Sequence, residues 1–377
     1  MITLRLRADR DFGRVPFLLS IASPVLVSLV VVLAVLSLGF MLRGQKDEII
    51  LVFGINALLV VALQVFVGST GIVSFGHMAF MAIGAYAAGI VSLPVGLKAA
   101  LLPDLPGVLK TIELPMFPSL VVAMIAAAAA AAIIGPAIVR LTGPAAAVVT
   151  LGLLVIVNQV LRHAKELTRG TQTFSGVPKT TTFAWVFSAL VLAVLVAALF
   201  KWSSAGLKSR MARDDPLAAE TCGVNVTMAR LVPLVLSAAL TGLAGGLWAH
   251  YLTAFQANSF YVAQAVPVIA MLILGGATSI TGGMLGAIIV STWAEITRFL
   301  EAGFEVGSLH LAAPRDLGNL TLGLALILLV TSPASRDHGA ERGDAEPCPA
   351  CSADWPSSGD PELEVERIAQ ALRGPVW

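Results

Sequence analysis

The fold is decided by the longest stretch of the chain that lacks a charged side chain. It covers residues 231–294 and reads LVPLVLSAALTGLAGGLWAHYLTAFQANSFYVAQAVPVIAMLILGGATSITGGMLGAIIVSTWA. A membrane-spanning α-helix needs about 20 apolar residues to cross a hydrocarbon core of roughly 30 Å. The stretch is therefore long enough for three spans, with breaks expected near Gln256–Tyr261 and Gly275–Gly283.

The composition of the whole chain also indicates a membrane protein. Of 377 residues, 57% are hydrophobic and 12% are charged, and the mean hydropathy is +0.87. About a quarter of the residues of a soluble domain are charged. This deficit excludes a nucleic-acid-binding protein, a disordered protein and an ordinary cytosolic enzyme. The formal net charge of +1 gives no reason to expect a strongly acidic partner.

The other uncharged runs are converted into spans by the same length rule. Two spans are expected within Ile49–Leu97, and one each within Val15–Leu42, Leu114–Val139, Leu141–Leu161, Thr180–Phe200 and Leu317–Ser335. The sequence therefore predicts an all-α, polytopic membrane helix bundle of about ten transmembrane helices.

Three regions follow from this assignment. Residues 1–14 form a basic arm, which the positive-inside rule places in the cytoplasm. Residues 15–335 form the transmembrane domain, whose longest polar connection is the loop 201–230. Residues 336–377 form a polar, acidic tail, and ten spans would return it to the cytoplasmic side.

A glycine-rich break, GSTGIVSFGH at residues 68–77, lies between the second and third predicted spans. Glycines disfavour a continuous helix here, and hydroxyl groups can satisfy the freed backbone. The break is either a tight turn followed by close helix packing or an element that lines a pathway. His77 is accordingly either a buried structural histidine or a residue that binds a ligand. The candidate residues are Gly68, Gly71, Ser74, Gly76, His77 and Phe80.

A second break, GGATSITGG at residues 275–283, lies between the eighth and ninth predicted spans. Paired interruptions in the two halves of a chain are typical of internally repeated transporters with a central pathway, although no residue-level repeat is evident. Gly275, Gly276 and Gly283 are its candidate residues.

A complete short helix is predicted inside the loop 201–230. Asp215 is a suitable N-cap, Pro216 is tolerated at the first helical position, and Gly223 is a suitable stop. A helix this short is not stable alone. We therefore expect it to pack against its own membrane domain or against another protein.

The sequence offers no set of catalytic residues. It contains no nucleophile–His–acid arrangement, no HExxH and no GxxxxGK[ST] phosphate-binding loop. Cys348 and Cys351 form a lone CxxC pair in the tail, so no metal site is predicted. A stand-alone secondary transporter would need buried charges for ion coupling, and the only acid within a predicted span is Glu295, which is expected to pair with Arg298.

The region from Asn56 to Tyr86 resembles the branched-chain amino acid ABC importer permeases, whose characteristic segment has the form N-L-L-x-G-x-x-G-x-x-S-x-G-H-x-A-F-x-x-x-G-A-Y. The loop Ala205–Val226 and the segments Ser237–Gly246 and Leu274–Ala287 are similar to the same family, in the same order. The order is that of the second of the two permease subunits.

The resemblance implies a non-enzymatic permease subunit of a bacterial-type inner-membrane importer for branched-chain or related amino acids. It implies a second permease subunit, two cytoplasmic ATPase subunits and an extracytoplasmic solute-binding protein as partners, with ATP and Mg on those partner subunits and no cofactor in this chain. The short helix would be the coupling helix that contacts an ATPase. The residues implied for that contact are Arg213, Asp215, Pro216, Ala218, Ala219, Glu220, Gly223 and Asn225.

The same resemblance places the two glycine-rich breaks near the pathway or the interface between permeases. A urea or short-chain amide permease is the alternative within the superfamily, and a stand-alone secondary transporter is a less favoured alternative outside it.

Overall fold

A computed structural model of the chain describes residues 47–103, 105–301, 304–306, 309–311 and 317–331. The basic arm, the first predicted span and the acidic tail lie outside the described residues. The chain divides into two units, Met1–Gly323 and Leu324–Trp377, and the bundle described below belongs to the first.

The described residues are almost entirely helical. The helices are α1 (Asp47–Thr70), α2 (His77–Ser92), α3 (Val95–Leu101), α4 (Gly107–Thr111), α5 (Met116–Ile138), α6 (Gly143–His163), α7 (Lys165–Thr168), α8 (Phe183–Trp202), α9 (Ser204–Asp214), α10 (Pro216–Thr221), α11 (Val226–Leu252), a 3-10 turn (Ala257–Phe260), α12 (Val262–Gly275), α13 (Ile280–Glu301) and α14 (Leu317–Thr331). Two short antiparallel pairs join β1 (Phe174–Ser175) to β2 (Ala254–Phe255) and β3 (Phe304–Val306) to β4 (Leu309–Leu311).

Seven helical segments of the described region are long and apolar enough to cross a membrane. An eighth is added if α2 and α3, which are bent by 116° relative to each other, are counted as one span. The predicted helical membrane bundle is confirmed, whereas the count of ten is not. The run 231–294 does contain three helices, α11, α12 and α13, with its breaks where the sequence predicted them.

The core of the bundle is α11, which packs against α1, α2 and α5. Two thirds of the most apolar window of α1 and of α11 is buried, against 28% for α5, so the first two helices are central. Small residues allow this packing. A Cβ added to Gly84 of α2 would lie 2.5 Å from the Cα of Gly242 of α11, so the two backbones touch and any side chain would separate them.

The bundle has two ends that carry different connections. The end that carries α9 and α10, which we call the loop end, also holds the end of α1, the end of α8 and the start of α13. At the opposite end, Phe174 and Phe255 of the β1–β2 pair pack with Tyr86 of α2. The candidate residues of the sequence analysis lie mainly towards the loop end.

Candidate functional site

The short helix α10 is built as the sequence predicted. The Asp215 side chain accepts hydrogen bonds from the backbone N–H groups of Leu217 and Ala218, at 2.9 and 3.0 Å. Cys222 caps the other end, and Gly223 follows with φ +77°, a left-handed conformation that favours glycine. The helix therefore has both terminal signals, and Pro216 occupies its first position.

One face of α10 packs against its own chain and the rest is exposed. Ala219 is buried in a small cluster with Ala212 of α9, Ala229 of α11 and Val224, which lies between α10 and α11. The side chain of Leu217, in contrast, is 75% exposed. The remaining exposed residues of the helix are Pro216, Ala218, Glu220 and Thr221. Ala219 is therefore the one residue of α10 that is buried against the chain, and the other side chains of the helix form an exposed surface.

Polar side chains fix the loop around α10. The Ser209 hydroxyl of α9 bonds to the backbone oxygen of Ala229 at 2.6 Å. Asn225 caps α11 by accepting from the N–H of Met228 at 3.0 Å. Arg230 is 6% exposed and donates to the backbone oxygens of Val139 and Ala212, at 3.3 and 3.4 Å. The polar loop 201–230 is therefore a structured helical element rather than an irregular connection.

Arg213 connects this loop to the membrane helices. Its Nη1 donates to the carbonyl oxygen of Gly68 at 2.7 Å, and its Nη2 pairs with Asp214 at 3.0 Å. A Cβ added to Gly71 would lie 3.0 Å from Cγ of Arg213. Arg213 therefore contacts the first glycine-rich break of its own chain, so an ATPase contact for this residue stays a prediction.

The two glycine-rich breaks meet at the same point. A Cβ added to Gly68 would lie 2.5 Å from the carbonyl oxygen of Ala277 in the second break. Gly68 thus contacts both Arg213 and Ala277, and we call these three residues the junction. Gly68 itself lies in the last turn of α1, so the first break begins only at Gly71, later than the sequence predicted.

The second break shapes the α12–α13 hairpin. Gly276 has φ +90° and ends α12. A Cβ on Gly275 would overlap the backbone of Gly282 across the hairpin, and one on Gly283 would lie 3.2 Å from a methyl group of Val60 in α1. The predicted glycines therefore allow close contact between α12, α13 and α1.

His77 is buried, and both of its ring nitrogens have partners. Nδ1 lies 3.1 Å from the hydroxyl of Ser74, and Nε2 lies 2.6 Å from the hydroxyl of Ser237 in α11. The Ser237 hydroxyl donates to the carbonyl oxygen of Ala62, and the Ser74 oxygen accepts from the N–H of Gly76. A neutral ring with its proton on Nε2 satisfies every partner in this chain of bonds, whereas a charged ring would be costly in this interior.

Aromatic rings enclose this histidine. The ring centroid of His77 lies 5.5 Å from that of Phe66 and 6.0 Å from that of Phe80. The break is also tied to α6, where the Thr150 hydroxyl accepts from the N–H of Phe75 at 3.2 Å. The geometry is that of a satisfied structural histidine, and a pathway role for Ser74, Gly76, His77 and Phe80 stays a prediction.

The structure brings together some candidate residues and separates others. It joins Gly68, Gly71 and Arg213 at the junction, while Ser74, His77 and Phe80 form a distinct group around Ser237. Sequence reasoning did not single out Ser237 or Arg230. The sequence does contain a signal for each of them: Ser237 places a hydroxyl in the apolar run of α11, and Arg230 places a cation near its start.

The predicted pairing near the end of α13 is present, with Arg298 3.5 Å from Glu295. Asn158, near the end of α6, donates to the backbone oxygen of Ala257 at 2.8 Å. Among the described residues, no group of three or more His, Cys, Asp or Glu side chains is placed to hold a metal ion.

Comparison with known proteins identifies the family. The family model described as "Branched-chain amino acid transport system / permease component" matches residues 46–330. The chain is 27% identical over 293 residues to the high-affinity branched-chain amino acid transport system permease protein LivM of Salmonella typhimurium, covering 69% of this chain and 65% of that protein. It is 28% identical over 290 residues to LivM of Escherichia coli, covering 68% and 64%.

A third relative is the probable branched-chain amino acid transport permease protein LivH of Methanocaldococcus jannaschii, 31% identical over 137 residues, which cover 36% of this chain and 42% of that protein. The chain spans slightly less than two thirds of the length of the two LivM proteins. No solved structure matched the chain. Because the family model matches well over half of the chain, this multi-pass membrane protein belongs to the family of branched-chain amino acid transport system permease components.

Proposed function

We propose that the chain is a membrane-spanning subunit of an ABC importer that translocates branched-chain or related amino acids. A solute-binding protein delivers the solute, a second permease completes the pathway, and two cytoplasmic ATPase subunits bind ATP and Mg and drive transport. Family membership and the names of the relatives support the solute class. In this proposal the loop end, the N-terminus and the C-terminus are cytoplasmic.

The observation that carries the proposal is the exposed surface of α10. A capped helix of six residues that buries only Ala219 gains little from its own domain. The Leu217 side chain in its N-terminal turn is 75% exposed and is available to insert into an apolar groove of a partner. We assign α10 as the coupling helix, with Asp215 and Gly223 fixing its ends and Glu220 on its exposed face.

The junction connects a movement of α10 to the membrane helices. When ATPase closure displaces α10, α9 moves with it because Ala212 of α9 and Ala219 of α10 are packed in one cluster. Arg213, the penultimate residue of α9, then acts on the carbonyl of Gly68 and, through Gly68, on Ala277. Both breaks border helices that would rock during alternating access.

The experiment measures uptake of radiolabelled leucine and valine by cells that carry the chain with its partner genes. We expect Leu217→Asp to abolish uptake while the amount of the chain in the membrane is retained. Leu207→Asp is the matched control because Leu207, on α9, is also exposed, at 55%, but lies outside α10. Normal uptake by Leu217→Asp would contradict the coupling assignment, and uptake of urea but not of leucine would replace the solute class.

A further inference from the structure

A cationic cleft lies beside the junction at the loop end of the bundle. It has a volume of about 270 Å³ and lies between α1, α8, α9 and the second glycine-rich break. Its basic side chains are Lys201, Arg210 and Arg213, and none of its lining residues is acidic. The proposed coupling role of α10 gives this cleft no function.

Two of the three cations lack an acidic partner in the described part of the chain. Lys201 donates to the carbonyl oxygen of Thr278 at 3.3 Å, and Arg210 donates through Nη2 to the carbonyl oxygen of Lys201 at 2.8 Å. Arg213 alone has a carboxylate, that of Asp214. Three cationic side chains thus line one small cleft, and only one carboxylate lies beside them. This excess of positive charge favours the binding of an anion in the cleft.

Unsatisfied polar atoms lie in the same cleft. Nε of Arg210 is buried and has no hydrogen-bond partner, so one N–H of the guanidinium is left without an acceptor. Gln64 is 6% exposed, and its Oε1 is also buried without a partner. Buried polar groups are normally satisfied, so an acceptor for Arg210 and a donor for Gln64 would complete the hydrogen bonding of these two residues.

The position of the cleft relates it to the membrane surface. Lys201 lies in the last turn of α8, a helix long and apolar enough to span the membrane. Trp202 follows it, and Trp is enriched where a span reaches the headgroups. Basic pockets between membrane helices at this level are suited to phosphate-bearing headgroups.

We propose that this cleft binds a phosphate group, held by Lys201 and Arg210 with Gln64 as a hydrogen-bonding partner. A phosphate oxygen accepts from the guanidinium of Arg210 and from the ammonium of Lys201, and a hydroxyl of the same molecule donates to the side-chain amide oxygen of Gln64. The phosphate belongs to an anionic phospholipid or to a soluble phosphate. A bound ligand would bridge α1, α8 and α9 and so stabilise the segment that leads to α10.

The test measures thermal unfolding of the full-length chain in neutral detergent, in the assembly in which it leaves the membrane. Phosphatidylglycerol is compared with phosphatidylcholine in one arm, and sodium phosphate with sodium chloride of equal ionic strength in the other. We expect a saturable rise in the unfolding temperature with a phosphate ligand. A response to phosphatidylglycerol alone identifies a lipid site, and a response to phosphate as well identifies a soluble ligand.

The double variant Lys201→Gln, Arg210→Gln should weaken the apparent affinity about tenfold or more, since a cation near such a headgroup contributes about 1 kcal/mol. The matched control, Lys208→Gln with Arg140→Gln, removes two exposed cations outside the cleft and should bind like the wild type. Gln64→Leu, which keeps every charge, should also weaken binding. It provides the test if the double variant fails to fold. Equal losses in control and cleft variants, or no response of the wild type to either ligand, would overturn the proposal.

Discussion

Replacing Arg213 by Ala tests the route from α10 to the membrane helices. The substitution removes the 2.7 Å hydrogen bond from the guanidinium to the carbonyl oxygen of Gly68. A hydrogen bond to a charged group contributes about 1.5–3 kcal/mol. The pairing with Asp214 adds about 1 kcal/mol at most, because the Asp214 side chain is 56% exposed. Since the Arg213 side chain is itself 26% exposed, we take the lower end of the range.

A loss of about 1.5 kcal/mol in the coupling between α10 and the junction corresponds to roughly a tenfold effect. We therefore expect Arg213→Ala to lower the ratio of leucine uptake to ATP hydrolysis about tenfold. The assay measures uptake and ATP hydrolysis together in proteoliposomes that contain the complete complex. Lys208→Ala is the matched control, because Lys208 is a cation on the exposed surface of the same helix.

The reasoning is refuted if Arg213→Ala keeps the wild-type ratio of uptake to hydrolysis. It is also refuted if the complex loses its ATPase subunits, since that result would make Arg213 a docking residue. Arg213→Lys should recover part of the ratio, because the ammonium retains the charge but not the geometry of the guanidinium.

Three further substitutions have expected outcomes. Asp215→Ala removes an N-cap worth about 1 kcal/mol and should increase hydrogen exchange in residues 217–221, whereas Asp215→Asn, which caps as well, should not; equal exchange in both variants would contradict the capping assignment. Gly242→Leu should lower stability by about 1–3 kcal/mol in thermal unfolding, because its Cβ would lie 2.6 Å from the carbonyl oxygen of Ala123, while Gly152→Leu, where the space is open, should have little effect. His77→Ala removes one hydrogen-bond partner from each of the hydroxyls of Ser74 and Ser237 and should cost about 2–4 kcal/mol, so uptake should fall only in proportion to the folded protein; a normal unfolding temperature with lost uptake would instead make His77 a pathway residue.

The sequence predicted those parts of the structure that local signals determine. The length of uncharged runs located the membrane helices, and the breaks in residues 231–294 lie where polar and glycine residues interrupt the run. The cap, the first-position proline and the glycine stop predicted α10 almost to the residue, because these signals act within a single turn. Which side chains of α10 are exposed could not be predicted, since this depends on which of them packs against α9 and α11.

Long-range contacts were beyond the sequence. Nothing in the pattern of Arg213 distinguishes a residue that contacts an ATPase from one that bonds to Gly68, which lies far away along the chain. The pairing of His77 with Ser237 is also a long-range contact, because α2 and α11 are far apart in the chain and meet only through tertiary packing. The loop 201–230 was predicted as polar, but α9 within it was missed because its small buried residues are interspersed with charges.

The central claim is that α10 docks on an ATPase, and site-specific crosslinking tests it most directly. A photoreactive amino acid at position 217 replaces the exposed leucine of α10, and one at position 285 replaces Leu285 of α13, which is also exposed, at 50%. After irradiation of native membranes, the account predicts an adduct between position 217 and a chain that carries an ATP-binding GxxxxGK[ST] loop, and none with that chain from position 285. An adduct from position 217 to other chains only, or equal adducts from both positions, would contradict it.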